Sequence, residues 1–250
     1  MLVFWLIHLR LKNAAVVDVG WALGLVLVAL WFAWQGPGDG LRRALLAGFA
    51  ALWGLRLALY LLKTRVIGQV EEGRYQELRR VWKNGWAVKI FFLFQFQALL
   101  DLLFGIPFLL AAFNPSPQLH LLEVLGLALV LLGIGGETLA DRQLARFKKA
   151  PANRGKVCQV GLWNYSRHPN YFFEWLVWLG FFLFALPAPH GYVAVIAPLT
   201  MLFFLFKVTG IPATEAQALR SKGAAYGRYQ QSTSRFVPWF KARKGEKFSS

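Results

Sequence analysis

A bundle of about six or seven helices that crosses a membrane several times, all-α throughout, is the fold class this sequence predicts. Three observations predict it. Of 250 residues, 57% are hydrophobic and only 16% charged, with a mean hydropathy of +0.44; a soluble domain would carry roughly 25% charged residues. Six apolar runs approach the ~20 residues that a helix needs to cross the hydrocarbon core. The bases are confined to alternate connections, which is the pattern that orients membrane helices.

Taken in chain order, Met1–Leu9 is a short apolar stretch. It has no basic leader and no small-residue cleavage site, so it reads as a truncated or tilted span, or a buried end, rather than a signal peptide. The six spans are placed at Ala14–Trp34, Leu41–Leu62, Ile90–Phe113, Leu119–Ala140, Tyr171–Pro187 and Tyr192–Thr209. The connection Lys63–Lys89 holds seven Lys or Arg and reads as a helix extension followed by an amphipathic piece, "EEGRYQELRRVW". The connection Asp141–Asn170 holds seven more, with a turn in "KKAPANRGK" set by Pro151 and Gly155. The chain from Lys207 onward holds nine, whereas "NPSPQLH" and "LPAPH" hold none. The basic connections and the C-terminus are therefore expected in the cytoplasm and the short Pro-rich turns outside; Arg42 and Arg43 are the exception. Much of the net charge of +16 is topology, which argues against nucleic acid as a partner. The remaining bases call for phosphate or anionic lipid. A single cysteine, Cys158, excludes an intramolecular disulfide, and no metal site is expected.

One domain is expected over residues 1–250, with its N-terminal part (about 1–113) enclosing an apolar ligand, its C-terminal part (about 119–240) binding an anionic one, and a frayed polar tail at 241–250. Ionisable residues at membrane depth are costly and face a cavity or a partner. They are Asp18, Arg56, Asp101, Glu123, Glu137 and Glu174. Arg56 is expected to pair with an acid on a neighbouring helix, and Asp18 is the best candidate. Glu137 and Asp141 are four apart, as are Asn170 and Glu174, so on helices each pair shares a face. "ETLADRQLARFK" runs from buried acid to exposed base, with Arg146 and Lys148 where the helix leaves the membrane. Pro169 suits the first turn of a helix, and Arg167 and His168 precede it. A helix start beside two bases is a natural phosphate site. The convergence of Arg146, Lys148, Arg154, Arg167 and His168 thus predicts a ligand with several phosphates.

"GETLADRQLARFKK", "NRGK", "GLWNYSRHPNYFFEW" and "YGRYQQSTSRFVPWF" together resemble the C-terminal half of the steroid 5-alpha-reductase family, most closely its large bacterial branch. "VDVGWALG" and "RVIGQVEEGRY" extend the resemblance to most of the chain. It implies a bundle of about seven helices with NADPH held between the helices and the cytoplasmic loops. Hydride passes to the carbon beta to a conjugated ketone, and an acid hydrogen-bonds the carbonyl. Carried over by position, Asp141, Lys148, Asn170 and Glu174 fall on cofactor contacts, Tyr229 aligns with a tyrosine of the C-terminal segment, and Arg167 and His168 fall near phosphate. In the steroid reductases a Glu on one N-terminal helix and a Tyr on the next bind the ketone. Aligning Arg56 and Tyr60 with the Arg and Tyr of that second helix puts Trp53 at the catalytic tyrosine position. Asp18 is then the candidate acid, and Tyr60 the replacement hydroxyl. The substrate pocket is expected among Asp18, Trp53, Arg56, Tyr60, Gln95 and Gln97, opening toward lipid and suited to a 3-oxo-delta-4 steroid or a prenyl or fatty enone. A monomer in a bacterial inner membrane is expected. Two other classes fit part of the chain. Isoprenylcysteine and phospholipid methyltransferases share the "RHP-aromatic" helix start and bind S-adenosylmethionine, for which Glu215 and "YGRYQ" are also suitable. A non-enzymatic lipid-binding protein leaves the buried acids and the Asn170/Glu174 pair unexplained.

Overall fold

The computed structural model describes residues 1–241; the polar tail from Ala242 lies outside the described residues. The helices are α1 (Leu2–Leu11), α2 (Val16–Gln35), α3 (Gly40–Leu61), α4 (Gly73–Val81), α5 (Trp86–Phe104), α6 (Ile106–Ala112), α7 (Leu121–Lys149), α8 (Pro169–Ala185), α9 (Ile196–Phe203), α10 (Ile211–Lys222) and α11 (Ala224–Ser232). Single π-turns, Leu62–Val66 and Phe204–Val208, extend α3 and α9. No strand forms among the described residues. The chain is a polytopic membrane bundle. Its long helices are apolar on the outward face as well as the inward one: Leu27, Leu52, Leu59, Leu99 and Leu102 are all exposed. A helix that is hydrophobic all round belongs in lipid.

Five helical stretches of the described residues are long and apolar enough to cross, namely Val16–Gln35, Gly40–Val66, Trp86–Ala112, Leu121–Lys149 and Gly191–Lys222. The span expected at Tyr171–Pro187 is α8 (Pro169–Ala185), whose 17 residues stand at the lower end of the length that crosses a bilayer. The Met1–Leu9 stretch is the ten-residue α1. The span expected over Ile90–Phe113 is two helices, because Gly105 ends α5 and Pro107 enters the first turn of α6.

The chain forms two compact units, residues 1–124 with 181–197 and residues 125–180 with 198–250. In the first, α2 lies against α3, α5 and α6. Trp21 sets its ring edge-to-face on Trp53 (centroids 6.0 Å apart) and on Phe104 (5.8 Å). Arg42, fully buried, is the anchor of the 114–123 connection rather than an exception to topology. It forms an ion pair with Glu123 and donates to the carbonyls of Asn114 (3.3 Å), Ser116 (2.6 Å) and Gln118 (2.8 Å). Glu123 in turn accepts from the His120 backbone N–H at 2.6 Å. In the second unit α7 and α8 run antiparallel with backbones in close approach. A Cβ at Gly133 would meet the Phe173 carbonyl at 2.7 Å, and one at Gly180 the Gly126 carbonyl at 2.6 Å. Small residues make such helix contacts in membranes.

Candidate functional site

The antiparallel contact line in the second unit passes Gly126 against Gly180, Gly133 against Val177 and Gly136 against Phe173. The end of that line places α7 at Glu137 and Asp141 beside the first two turns of α8, which carry Asn170 and Glu174. The two four-residue pairs read from the sequence are neighbours. Glu137, Asp141 and Glu174 are buried, and Asn170 is half-buried. Glu174 accepts from the Trp178 indole N–H at 3.0 Å. The Asn170 amide makes no hydrogen bond among the described residues.

The segment that leads into α8 is held by the C-terminal residues. Ser166 and Ser234 form a parallel bridge, and the Arg167 N–H donates to the Ser234 carbonyl at 2.9 Å. Ser166 Oγ donates to the Phe236 carbonyl at 2.7 Å, and the Trp239 N–H to Tyr165 O at 2.9 Å. Tyr229 is buried, and its hydroxyl meets the carbonyls of Trp163 and Ser166. Its hydroxyl is thus a clamp on this segment. Burial pushes its phenol above the ordinary tyrosine range.

Arg167 and His168 are buried and share one acid. Glu215, on α10, stands 3.1 Å from Arg167 Nε and 3.1 Å from His168 Nε2, and accepts from Gln230 Nε2 on α11 at 3.0 Å. Each of the two residues expected near phosphate thus has an internal carboxylate partner. The His168 ring also stacks on Tyr171, centroids 5.4 Å apart. Burial lowers the His168 pKa, opposed by Glu215, and burial lowers the Arg167 pKa, again opposed by Glu215. Glu215 and Gln230 were not tied to this group by the sequence, because they lie 47 or more residues downstream.

Arg146, Lys148 and Arg154 are exposed, as the sequence predicts for the end of α7 and the turn after it. Lys148 and Lys222 both stand in the electrostatic environment of Cys158, where they oppose the burial that raises its thiol pKa. Among described residues the second unit holds thirteen Lys and Arg against four acids, Glu137, Asp141, Glu174 and Glu215, and all four acids are buried. Arg167 is the one Lys or Arg of that unit in an ion pair among those residues. Its described surface is basic with no exposed acid, the condition for attracting an anion.

The residues expected to bind substrate lie in the first unit. Asp18 does not pair with Arg56 but with the basic connection after α3, a correction of the expected partner. Arg74 and Arg65 (3.0 Å) form ion pairs with Oδ2, and the Tyr75 hydroxyl donates to Oδ1 at 2.9 Å. The same connection is tied down by Glu71, which takes two bonds from Arg79 (both 3.1 Å) and one from the Ala14 N–H (2.8 Å). Asp18 is thus an acceptor from three donors, which corrects its expected role as the acid that donates to a ketone. The sequence did not single out Tyr75, although it sits in "EEGRYQELRRVW". The Arg56 guanidinium lies 5.6 Å from the centre of the Tyr60 ring. Trp53 is fully buried between Trp21 and Phe181, as core. The Gln95 amide nitrogen, on α5, is buried without a hydrogen-bond partner among the described residues. No group of three or more metal-ligating side chains occurs among the described residues.

Fold and burial pattern define a multi-pass helical membrane protein with a basic, acid-poor C-terminal unit. The chain belongs to the protein family of unknown function DUF1295, whose model matches residues 4–233. It is similar to an uncharacterized protein of the yeast Schizosaccharomyces pombe, 27% identical over 208 residues. That match covers 73% of this chain and 60% of the relative, so the chain spans about three fifths of the relative's length. No solved structure matches.

Proposed function

We propose that the protein is an NADPH-dependent reductase of the carbon–carbon double bond in a hydrophobic conjugated ketone, a 3-oxo-delta-4 steroid being the expected type. The charge distribution of the second unit supports this reading: all its described acids are buried, and among the described residues its Lys and Arg other than Arg167 form no ion pair. A phosphorylated dinucleotide complements such a surface. S-adenosylmethionine has no phosphate and a positive sulfonium, and Glu215, the residue suited to a methyltransferase, is engaged by three internal donors. The choice of reaction rests on the resemblance carried by "GETLADRQLARFKK" and "GLWNYSRHPNYFFEW".

In this reading Arg146, Lys148 and Arg154 draw in the phosphates from the cytoplasmic face of a bacterial inner membrane. Asn170, with an amide unclaimed by the described residues, and the adjoining Glu174, Glu137 and Asp141 hold the polar groups of the nucleotide. Bound NADPH would supply a hydride. The carbonyl oxygen gains negative charge as the double bond is reduced, so a hydrogen-bond donor must stand ready there. Tyr60 is the assigned donor, because the Asp18 carboxylate is occupied by Arg65, Arg74 and Tyr75.

Two measurements test this on the intact protein in detergent. Melting temperature should rise with NADPH and not with S-adenosylhomocysteine, because a ligand that binds only the folded state stabilises it by mass action. NADPH oxidation should follow on adding a steroidal or prenyl enone and should be lost in Tyr60→Phe. Stabilisation by S-adenosylhomocysteine but not by NADPH sinks the reductase reading.

A further inference from the structure

The turn after α7 and the helix α11 line an open cavity of about 410 Å³, bordered by Gly155, Lys156, Gln159, Arg228, Tyr229 and Ser232 among others. The volume lies in the ~300–1,000 Å³ range of small-molecule sites. Lys156 and Arg228 are both exposed, and neither has an acidic partner among the described residues. No described acid of this unit is exposed to offer one. Gly155 adopts φ +77°, a conformation that leaves its backbone open to close approach by a ligand. Gln159 already receives Lys241 Nζ at 2.9 Å, which brings a third cation to the rim. Ser232 supplies a hydroxyl, and Tyr229 forms a wall while its own hydroxyl is spent on Trp163 and Ser166.

We propose that this cavity is a phosphomonoester site, with Lys156 and Arg228 as its cationic pair and Ser232 and Gln159 as hydrogen-bonding partners. A monoester suits it better than a diester, because near neutral pH it carries about −1.5 to −2 charge and three acceptor oxygens. The guanidinium fork of Arg228 can take two of those oxygens at once. The identity of the monoester rests on the reductase reading: it is the ribose 2′-phosphate that distinguishes NADPH from NADH. Lys156 and Arg228 then determine cofactor specificity, a role the sequence reading gave to neither.

Affinities for NADPH and NADH are to be measured on the full chain in detergent for the wild type, Lys156→Gln and Arg228→Gln. Both positions are exposed, so the variants are expected to fold as the wild type does. Each variant should lose NADPH affinity about tenfold or more, the scale of a charge-assisted bond, with NADH affinity unchanged. Equal losses for both dinucleotides, or no loss for either, overturn the proposal. Adenosine 2′-monophosphate and phosphatidate-doped micelles separate this result from the fate of the reductase reading. A wild type that binds neither dinucleotide, yet binds one of these monoesters in a Lys156- and Arg228-dependent way, refutes the reductase and keeps the site for a soluble or a lipid phosphate accordingly. A wild type that binds none of the four refutes both.

Discussion

Glu174 has two possible duties, and a pair of substitutions separates them. Its carboxylate accepts the indole N–H of Trp178, a fully buried ring one turn along α8, at 3.0 Å. Glu174→Ala leaves that N–H without this acceptor, at a cost of about 1–3 kcal/mol. For a chain of this length about 2–4 °C of melting temperature corresponds to each kcal/mol, so a drop of roughly 2–12 °C is expected. Glu174→Gln keeps an oxygen for the indole, so it should lose less melting temperature than Glu174→Ala. If the carboxylate also holds the nucleotide, Gln forfeits a charge-assisted bond worth about 1.5–3 kcal/mol, which is roughly 10- to 150-fold in Kd. Tryptophan fluorescence reads both quantities, by thermal melting and by NADPH titration. A Gln variant as unstable as the Ala variant refutes the account of the indole bond. A Gln variant that binds NADPH within twofold of the wild type reduces Glu174 to a packing residue and removes it from the cofactor site.

Arg42→Met should cost about 3–5 kcal/mol in a denaturant melt, since it strands a fully buried Glu123 and three carbonyls of the 114–118 segment. Arg43→Met, which loses the bonds its guanidinium donates to the Ala33 (3.0 Å) and Trp34 (3.5 Å) carbonyls, serves as the control and should cost less than about 1.5 kcal/mol; equal effects would refute the anchoring role. His168 faces Glu215, Arg167 and Arg235, and burial holds its pKa below the ordinary 6.5. The unfolded chain therefore takes up its proton first as pH falls, so this contribution to stability is intact above pH 6.5 and is lost below it, toward the folded-state pKa. Melting temperature against pH should show that decline in the wild type and a shallower one in His168→Gln; matching curves would place the titration elsewhere.

The apolar runs and the segregated bases made the membrane bundle legible, because lipid imposes one-dimensional constraints on length and charge. The pairing of Glu137/Asp141 with Asn170/Glu174 was legible for a similar reason: two four-residue spacings lie on two helices joined by a single connection. The break inside Ile90–Phe113 was written in Gly105 and Pro107 but masked by the continuous hydrophobicity on both sides. Ion-pair partners were not legible. Asp18 finds Arg65, Arg74 and Tyr75 across 47 to 57 residues of chain, and Arg167 and His168 find Glu215 across nearly as many. Such partners depend on how the connections fold back on the helices, which periodicity does not encode. Tyr229 was found through resemblance, yet its hydroxyl is directed at backbone carbonyls that no pattern of side chains reveals.

The positive-inside rule counts Lys and Arg and is nearly indifferent to acids. It therefore accounts equally well for both basic connections, and cannot explain why they differ. In the first, Arg65, Arg74, Arg79 and Arg80 are matched by Asp18, Glu71, Glu72 and Glu77. In the second, Arg167 alone is matched among the described residues, and by an acid that lies beyond that connection. Orientation in the membrane would tolerate acids in both places. An excess of unmatched bases repels itself, so acid-free surface is a cost that topology does not require. The cost is offset where a polyanion completes the surface. The first connection is thus a closed structural latch over the start of α2, and the open charge of the second is what the phosphates of the proposed NADPH would neutralise.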